Sequence, residues 1–285
     1  MFNMMKSSLG LKIGFSTEVA GYPHIYLLNG YSFPKDKNTV FKYMPLDRFM
    51  QAVDKGELVF VSPETWYDPF EQLYYGIDCS SKGYNTEEIA CMCVSDKSST
   101  NEDASWRVYS GSSNKTVRIS YERDVLLGLL NDYAASIGCT VYIGRVEYKY
   151  EKKDIRAIHK VSSTLYPLFF PNLMKREHYL SLMLLKRRAF SYENEVRIFL
   201  VKDSIPFDGN RIITIPCDYR ATGLVSNVML SPYPPIREKG DIAHKVRQKI
   251  NDTESNAIKE VLYDKLGCTI QQSLLYKVYQ RVDRI

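Results

Sequence analysis

The sequence predicts an α+β protein with a mixed, largely antiparallel sheet and flanking helices, and three observations lead there. Strand-like runs cluster along the chain with few strand–helix–strand alternations, which favours a mixed or antiparallel sheet over a doubly wound one. Segments of helical periodicity are few and separate groups of strands. With 45% hydrophobic and 25% charged residues the composition is that of an ordinary globular protein, which argues against disorder and fibrous architecture.

Along the chain, residues 1–38 carry Gly and Ser, weak periodicity and the turn signal Phe33-Pro34-Lys35-Asp36, and read as a loosely structured lead-in. Residues 39–285 read as a single α+β domain ending in a helical and strand extension. Residues 40–44 are expected to form a strand. Leu46–Lys55 has apolar positions at Leu46, Phe49, Met50 and Val53 and a stop at Gly56, the pattern of a short helix. Residues 57–62 return as a strand, and residues 63–71, rich in Pro and aromatics, form a structured loop. Residues 89–94 read as a short buried strand, 95–104 as a polar loop before the segment at 106–110, 116–121 as a strand and 124–136 as a helix. Residues 141–148 alternate like a strand, and 149–188 read as helices with a break between Tyr166 and Pro171. Three more strands are expected at 191–201, 211–216 and 226–231, the first two joined by the turn at 205–210. Helices over 236–266 and a last strand or short helix over 269–279 complete the chain.

The longest apolar stretches, at 180–185 and 125–130, fall far short of the ~18–20 residues that span a bilayer, so no membrane partner is expected. The N-terminal stretch lacks the apolar segment of a secretory signal, which predicts a cytoplasmic protein. Six scattered cysteines with no completing Cys or His pair suit buried free thiols in a reducing compartment, and no metal site is predicted. The net charge of +5 is concentrated at Lys149–Lys153, Lys175-Arg176, Lys186-Arg187-Arg188 and Arg237–Arg247, patches that either meet phosphates or form solvated helix faces. The 22 tyrosines either stack on bases or pack half-buried in sheets. Phosphate-loop, dinucleotide-fingerprint, zinc-protease and nucleophile-elbow motifs are absent, and only four histidines are present, which leaves carboxylate chemistry as the leading option.

Three segments place polar groups where an ordinary core would not. In Phe41-Lys42-Tyr43, alternation puts Lys42 opposite its neighbours, where it either holds a phosphate or carboxylate or faces solvent. Ser62, Trp66, Asp68 and Glu71 lie on a loop leaving a strand; Asp68-Pro69 is a common turn initiator, and the Trp beside two carboxylates is similar to a wall for stacking a planar ring. In Phe190-Ser191-Tyr192-Glu193-Asn194-Glu195-Val196-Arg197, a strand would put Glu193, Glu195 and Arg197 on one face. That ridge is either a functional site or an exposed, self-paired sheet face of little energetic weight.

Together with Phe60-Val61-Ser62-Pro63, Tyr67-Asp68-Pro69-Phe70-Glu71, Trp106 with Tyr109, Lys186 and Leu230-Ser231-Pro232, these segments resemble a widespread bacterial family of unknown function that is similar to abortive-infection proteins. The resemblance covers about residues 40–279. It departs at Tyr67, where the family usually has Asn, and at Phe190, where it usually has Trp. The pattern in turn looks like an ADP-ribosyltransferase layout and implies that fold, with NAD as substrate. Lys42 stands where that superfamily usually has Arg or His, Ser62 where a polar residue lines the nicotinamide pocket, and Glu193-Asn194-Glu195 where a Glu-x-Glu motif opens a late strand. The resemblance implies that Glu195 stabilises the oxocarbenium-like charge and that Glu193 positions or deprotonates the acceptor. Lys42, Tyr43, Ser62, Trp66, Asp68 and Arg197 would bind NAD, with Tyr67 an alternative to Trp66 as the stacking residue. The implied biology is a toxin or phage-defence effector that modifies nucleic acid or protein and works with an antitoxin-like partner. Two other readings stay open: a nucleic-acid-binding or nuclease defence protein, and a non-catalytic partner-binding domain.

Overall fold

The structure is a computed structural model and describes residues 15–66, 68, 70–71, 88–97, 105–106, 109, 115–151, 153–154, 176–232, 241–273 and 275. Among these, in chain order, are β1 (Ser16–Val19), β2 (Tyr22–Leu28), β3 (Thr39–Pro45), α1 (Leu46–Lys55), β4 (Glu57–Val61), β5 (Glu88–Ser95), β6 (Thr116–Glu122), α2 (Arg123–Ile137), β7 (Thr140–Arg145) and β8 (Glu147–Tyr150). They continue with α3 (Arg176–Leu182), β9 (Leu185–Arg187), β10 (Glu195–Lys202), β11 (Ile212–Pro216), α4 (Tyr219–Thr222), β12 (Val225–Leu230), α5 (Asp241–Leu266) and β13 (Thr269–Gln272). Among the described residues most strand pairings are antiparallel, while β2–β7, β8–β9 and β12–β13 are parallel, so the α+β class with mixed, largely antiparallel pairing is as expected. The chain divides into two compact units.

The first unit comprises Met1–Asn38, Leu58–Lys97 and Leu126–Pro216. Its strands run in the order β1-β2-β7-β10-β5, with β4 beside β5. β2 pairs parallel with β7, so the segment expected as a loose lead-in supplies two strands. Their alternation is faint because β2 buries only Ile25 and Leu28 fully, and Gly21 and Pro23 interrupt the pattern. β10 lies between β5 and β7, and its residues from Glu195 to Val201 are all buried. A strand covered on both faces needs no alternation, which is why Val-Arg-Ile-Phe-Leu-Val reads as a run. Leu28, Tyr142, Leu180, Leu182, Met183, Leu184, Leu185 and Phe199 form its core.

The helical expectation for 149–188 holds in part. α3 lies there, but β8 and β9 pair as a short parallel ribbon, with Glu147 opposite Leu185 and Tyr150 opposite Arg187. The break around Tyr166–Pro171 lies outside the described residues. The segment Met183–Leu185 passes close over β7. A Cβ on Gly144 would stand 3.2 Å from Leu28 Cβ and well inside contact distance of the Leu184 methyls, so a side chain here would displace Leu184 from its place in the core. Gly144 is also the residue opposite Arg197 across the β7–β10 ladder.

The second unit comprises Thr39–Glu57, Ser98–Val125 and Cys217–Ile285. Its strands run β3-β6-β12-β13, the last pair parallel. α1 forms where its periodicity places it, burying Phe49 and Ala52, and Gly56 ends it at φ 63° with its N–H donating to the carbonyls of Ala52 and Val53. Phe49 meets Tyr219 edge to face, with ring centroids 6.2 Å apart. No helix among the described residues is long and apolar enough to cross a membrane.

Candidate functional site

The densest polar constellation among the described residues lies inside the first unit, where β10 begins. The strand does not begin at 191. Residues Arg188–Glu193 form a 3-10 turn, Asn194 adopts a left-handed φ of 46°, and β10 follows at Glu195. Asn is among the few residues that tolerate this backbone, and its Nδ2 donates to the Tyr192 carbonyl at 3.2 Å. Glu193 therefore does not share a strand face with Glu195 and Arg197. The two carboxylates converge through a different residue: Lys186 Nζ lies 2.6 Å from Glu193 Oε2 and 3.1 Å from Glu195 Oε2.

Lys186 also reaches Glu71 Oε1 at 3.1 Å. Arg197 closes the cluster from the other side. Its Nε donates to Glu195 Oε1 at 2.8 Å, its Nη2 to Glu195 Oε2 at 3.3 Å and to Glu71 Oε2, and its Nη1 to the carbonyl of Met183. The guanidinium carbon stands 4.2 Å from the centroid of the Trp66 ring. Beneath it, the Cys93 thiol bonds the Glu195 carboxylate, from the position opposite Arg197 on β5. The backbone N–H of Glu195 donates to Tyr148 Oη at 2.8 Å. Arg197 is 1% and Glu195 5% exposed, which rules out the exposed sheet face considered from sequence.

Burial and charge act on these groups in opposite directions. For Glu195, burial pushes the carboxyl up, but the Arg197 guanidinium and then the Lys186 ammonium overcome it and hold the group well below the usual carboxylate range. For Glu193, burial dominates: its carboxyl is pushed up to about 7, Lys186 opposing while Glu195 and Glu71 add to the rise. Burial lowers Lys186, yet the three carboxylates together hold its proton far more tightly than usual. Three carboxylates against two cations leave one excess negative charge when all are ionised, and the neutral acid form of Glu193 removes it. The cluster is thus built with one permanently ionised carboxylate beside one that exchanges its proton near neutrality.

Of the residues the sequence singled out, Glu193, Glu195, Arg197 and Trp66 come together here. Asp68 sits one shell away, its Oδ2 2.9 Å from Arg187 Nη2. Ser62 takes another role. It is wholly buried, its Oγ accepts from the Glu64 N–H at 3.3 Å, and its carbonyl accepts from Thr65 Oγ1 at 2.8 Å, so it caps the short 3-10 turn Pro63–Thr65. Lys42 and Tyr43 belong to the second unit, on opposite faces of β3. Tyr43 packs there against Trp106, edge to face at 5.1 Å, and stacks with Tyr109 at 6.1 Å. Tyr67 lies outside the described residues.

Lys186 was named in a sequence motif without a role, and Glu71 only as a carboxylate beside the Trp66 stacking wall. Their signals were present: Lys186 directly follows a run of six residues that the structure buries, and Glu71 stands beside Trp66 and Asp68 in a loop too specific for a linker. Among the described residues no group of His, Cys, Asp and Glu is placed to hold a metal ion, and Cys91, Cys139, Cys217 and Cys268 are free thiols; Cys79 lies outside the described residues. No protein-family model matches this chain, and no curated protein matches it.

Proposed function

We propose that this protein is an NAD-dependent ADP-ribosyltransferase whose chemistry runs at the Glu193–Glu195 pair. The observation that carries the reading is the divergence of two adjacent carboxylates around one lysine: Glu195 is held ionised while Glu193 titrates at about 7. Such a split assigns an electrostatic role to one group and proton transfer to the other. When the bond between ribose C1′ and the nicotinamide nitrogen breaks, its electron pair leaves with neutral nicotinamide, and positive charge develops on the ribose. Ionised Glu195 stabilises that charge from a fixed position. An acceptor hydroxyl or amine then bonds to C1′ and yields its proton to the Glu193 carboxylate.

The reading requires one rearrangement. Lys186 holds Glu195 Oε2 at 3.1 Å, where a ribose hydroxyl would bond, so substrate must displace that contact. Lys186 is the most exposed member of the cluster, its side chain 11% accessible, and it retains Glu193 and Glu71 as partners once Glu195 is released. Nucleic acid or protein as acceptor, a role as toxin or phage-defence effector, and control by an antitoxin-like partner belong to this same proposal.

A second reading has an observation in its favour. Both oxygens of Glu195 are already bonded by cations of the same chain, which is the arrangement of a structural ion cluster in a partner-binding domain. Incubating the protein with NAD and either cellular RNA or lysate protein, and following nicotinamide release and label transfer, separates the two. Release that Glu195→Gln lowers by about two to three orders of magnitude supports the transferase. Folded protein that neither binds NAD nor releases nicotinamide is the partner-binding domain.

A further inference from the structure

The loop that delivers Glu71 to the carboxylate cluster also builds a second arrangement next to it. Asp68 Oδ1 accepts from the Phe70 N–H at 2.9 Å, fixing a tight turn, and its Oδ2 lies 2.9 Å from Arg187 Nη2. The Arg187 guanidinium carbon stands 4.7 Å from the centroid of the Phe70 ring and 4.9 Å from that of Phe190. Two aromatic rings and one carboxylate therefore hold the guanidinium plane in place. A planar fork ordered in this way loses little further freedom when it forms hydrogen bonds.

Among the described residues most of its bonding capacity is unspent. A guanidinium carries five N–H donors. Asp68 takes one Nη2 donor, and Arg187 Nε is buried without a hydrogen-bond partner. An anion oxygen is the acceptor that best suits the remaining terminal donors of a guanidinium held in this way. The side chain as a whole remains 23% accessible, so an anion would approach it at the terminal nitrogens and not at the buried Nε.

Its position gives the anion a place relative to the chemistry. Lys186 and Arg187 are consecutive on β9; Lys186 points into the carboxylate cluster and Arg187 toward Asp68 and Phe70. Phe190, in the following turn, lies against both, with Lys186 Nζ 5.1 Å from its ring centroid. One aromatic ring thus separates the two sites, and Trp66, Asp68, Phe70 and Glu71 together with the stretch 186–195 build both.

We infer that Arg187 is the anchor for a phosphate group of the substrate, so that this protein takes a nucleoside diphosphate whose phosphates sit at Arg187 while its reacting sugar reaches Glu195. The inference rests on the transferase reading for the link between the two sites, and on the Arg187 geometry alone for the anion. Asp68 then acts as a counterweight, positioning the guanidinium while weakening its pull on an anion.

The test is calorimetric titration with ADP, with adenosine and inorganic pyrophosphate as companion probes, on wild-type protein and on Arg187→Gln, Arg187→Lys and Asp68→Asn. Thermal melts verify that each variant is folded. Wild-type protein is expected to bind ADP at least tenfold more tightly than adenosine. Arg187→Gln should lose at least tenfold in ADP affinity, and Arg187→Lys should recover only part of it. Asp68→Asn retains the Oδ1 acceptor of the turn and should bind ADP several-fold more tightly. Displacement of ADP by pyrophosphate supports the phosphate as the recognised group. Folded wild-type protein that does not bind ADP, or equal ADP affinity in wild type and Arg187→Gln, overturns the inference. Arg187-dependent ADP binding without nicotinamide release leaves the anion site standing and removes the transferase reading. Nicotinamide release with ADP binding indifferent to Arg187 does the reverse.

Discussion

Replacing Glu193 with Gln should remove a pH dependence of stability that the fold itself creates. In the native protein this carboxyl is raised from an ordinary value of 4.5 to about 7, because burial disfavours its charge by more than Lys186 favours it, and Glu195 and Glu71 add to the rise. Between those two values the folded chain keeps a proton that the unfolded chain releases. The native state then binds more protons than the unfolded state, so stability falls as pH rises through the window. A displacement of that size corresponds to about 3 kcal/mol, an upper figure for a group coupled to its neighbours. Gln preserves the shape of the neutral acid and cannot ionise. Urea unfolding at a series of pH values from about 4.5 to about 7.5 measures the slope for both proteins, and titrations common to both cancel in the difference. The stability of Glu193→Gln relative to wild type should climb by roughly 3 kcal/mol across the series. Parallel curves would show that Glu193 carries no displaced proton, and the acid–base assignment would fall with it.

Other substitutions probe the surroundings. Arg197→Met leaves Glu195 and Glu71 buried with only Lys186 to balance them, and should destabilise the protein by about 3–5 kcal/mol in denaturant titration. Arg197→Lys should not rescue it, since one ammonium cannot reach Glu195, Glu71 and the Met183 carbonyl together or stack on Trp66. Gly144→Ala forces a methyl against Leu184 and should cost about 1–3 kcal/mol by the same measurement. Ser62→Ala should lose about 1 kcal/mol with the cap and leave NAD turnover as it was, because the hydroxyl serves the Glu64 N–H. Turnover lost with the melting point unchanged would instead place Ser62 against substrate.

Local signals in the sequence were reliable where the residues act locally. The apolar spacing of Leu46–Lys55 and the stop at Gly56 correspond to a helix with those bounds and a left-handed cap. The strands at 89–94, 116–121 and 211–216 each lie within one residue of the observed ends. Failures came where pairing between distant segments decides the outcome. β2 pairs with β1 as a local antiparallel neighbour but also with β7, a parallel partner more than 100 residues away that no periodicity in residues 16–28 reveals. The short ribbon of β8 and β9 joins segments more than 30 residues apart, so the helical reading of 149–188 could not anticipate it.

The candidate site was legible in the same uneven way. Two carboxylates and a guanidinium on an otherwise apolar run marked the region, and Glu195 and Arg197 do share a strand face. Strand alternation predicted the same for Glu193. It failed because Asn194 turns the chain at a positive φ, and convergence with Glu195 was restored by Lys186. Phe190 replaces the Trp expected from the resemblance yet still presents an aromatic ring to Lys186 and Arg187. Ser62 illustrates the opposite case, a polar residue at a strand end whose role is to start the next turn.

Nicotinamide release from NAD, followed from about pH 5 to about pH 9 in wild type, Glu193→Gln and Glu195→Gln, tests the central claim most directly. The account predicts a wild-type rate that rises through about pH 7 as Glu193 ionises, a profile flattened in Glu193→Gln, and a rate reduced throughout in Glu195→Gln. No release by folded wild-type protein, or full release by Glu195→Gln, would contradict it.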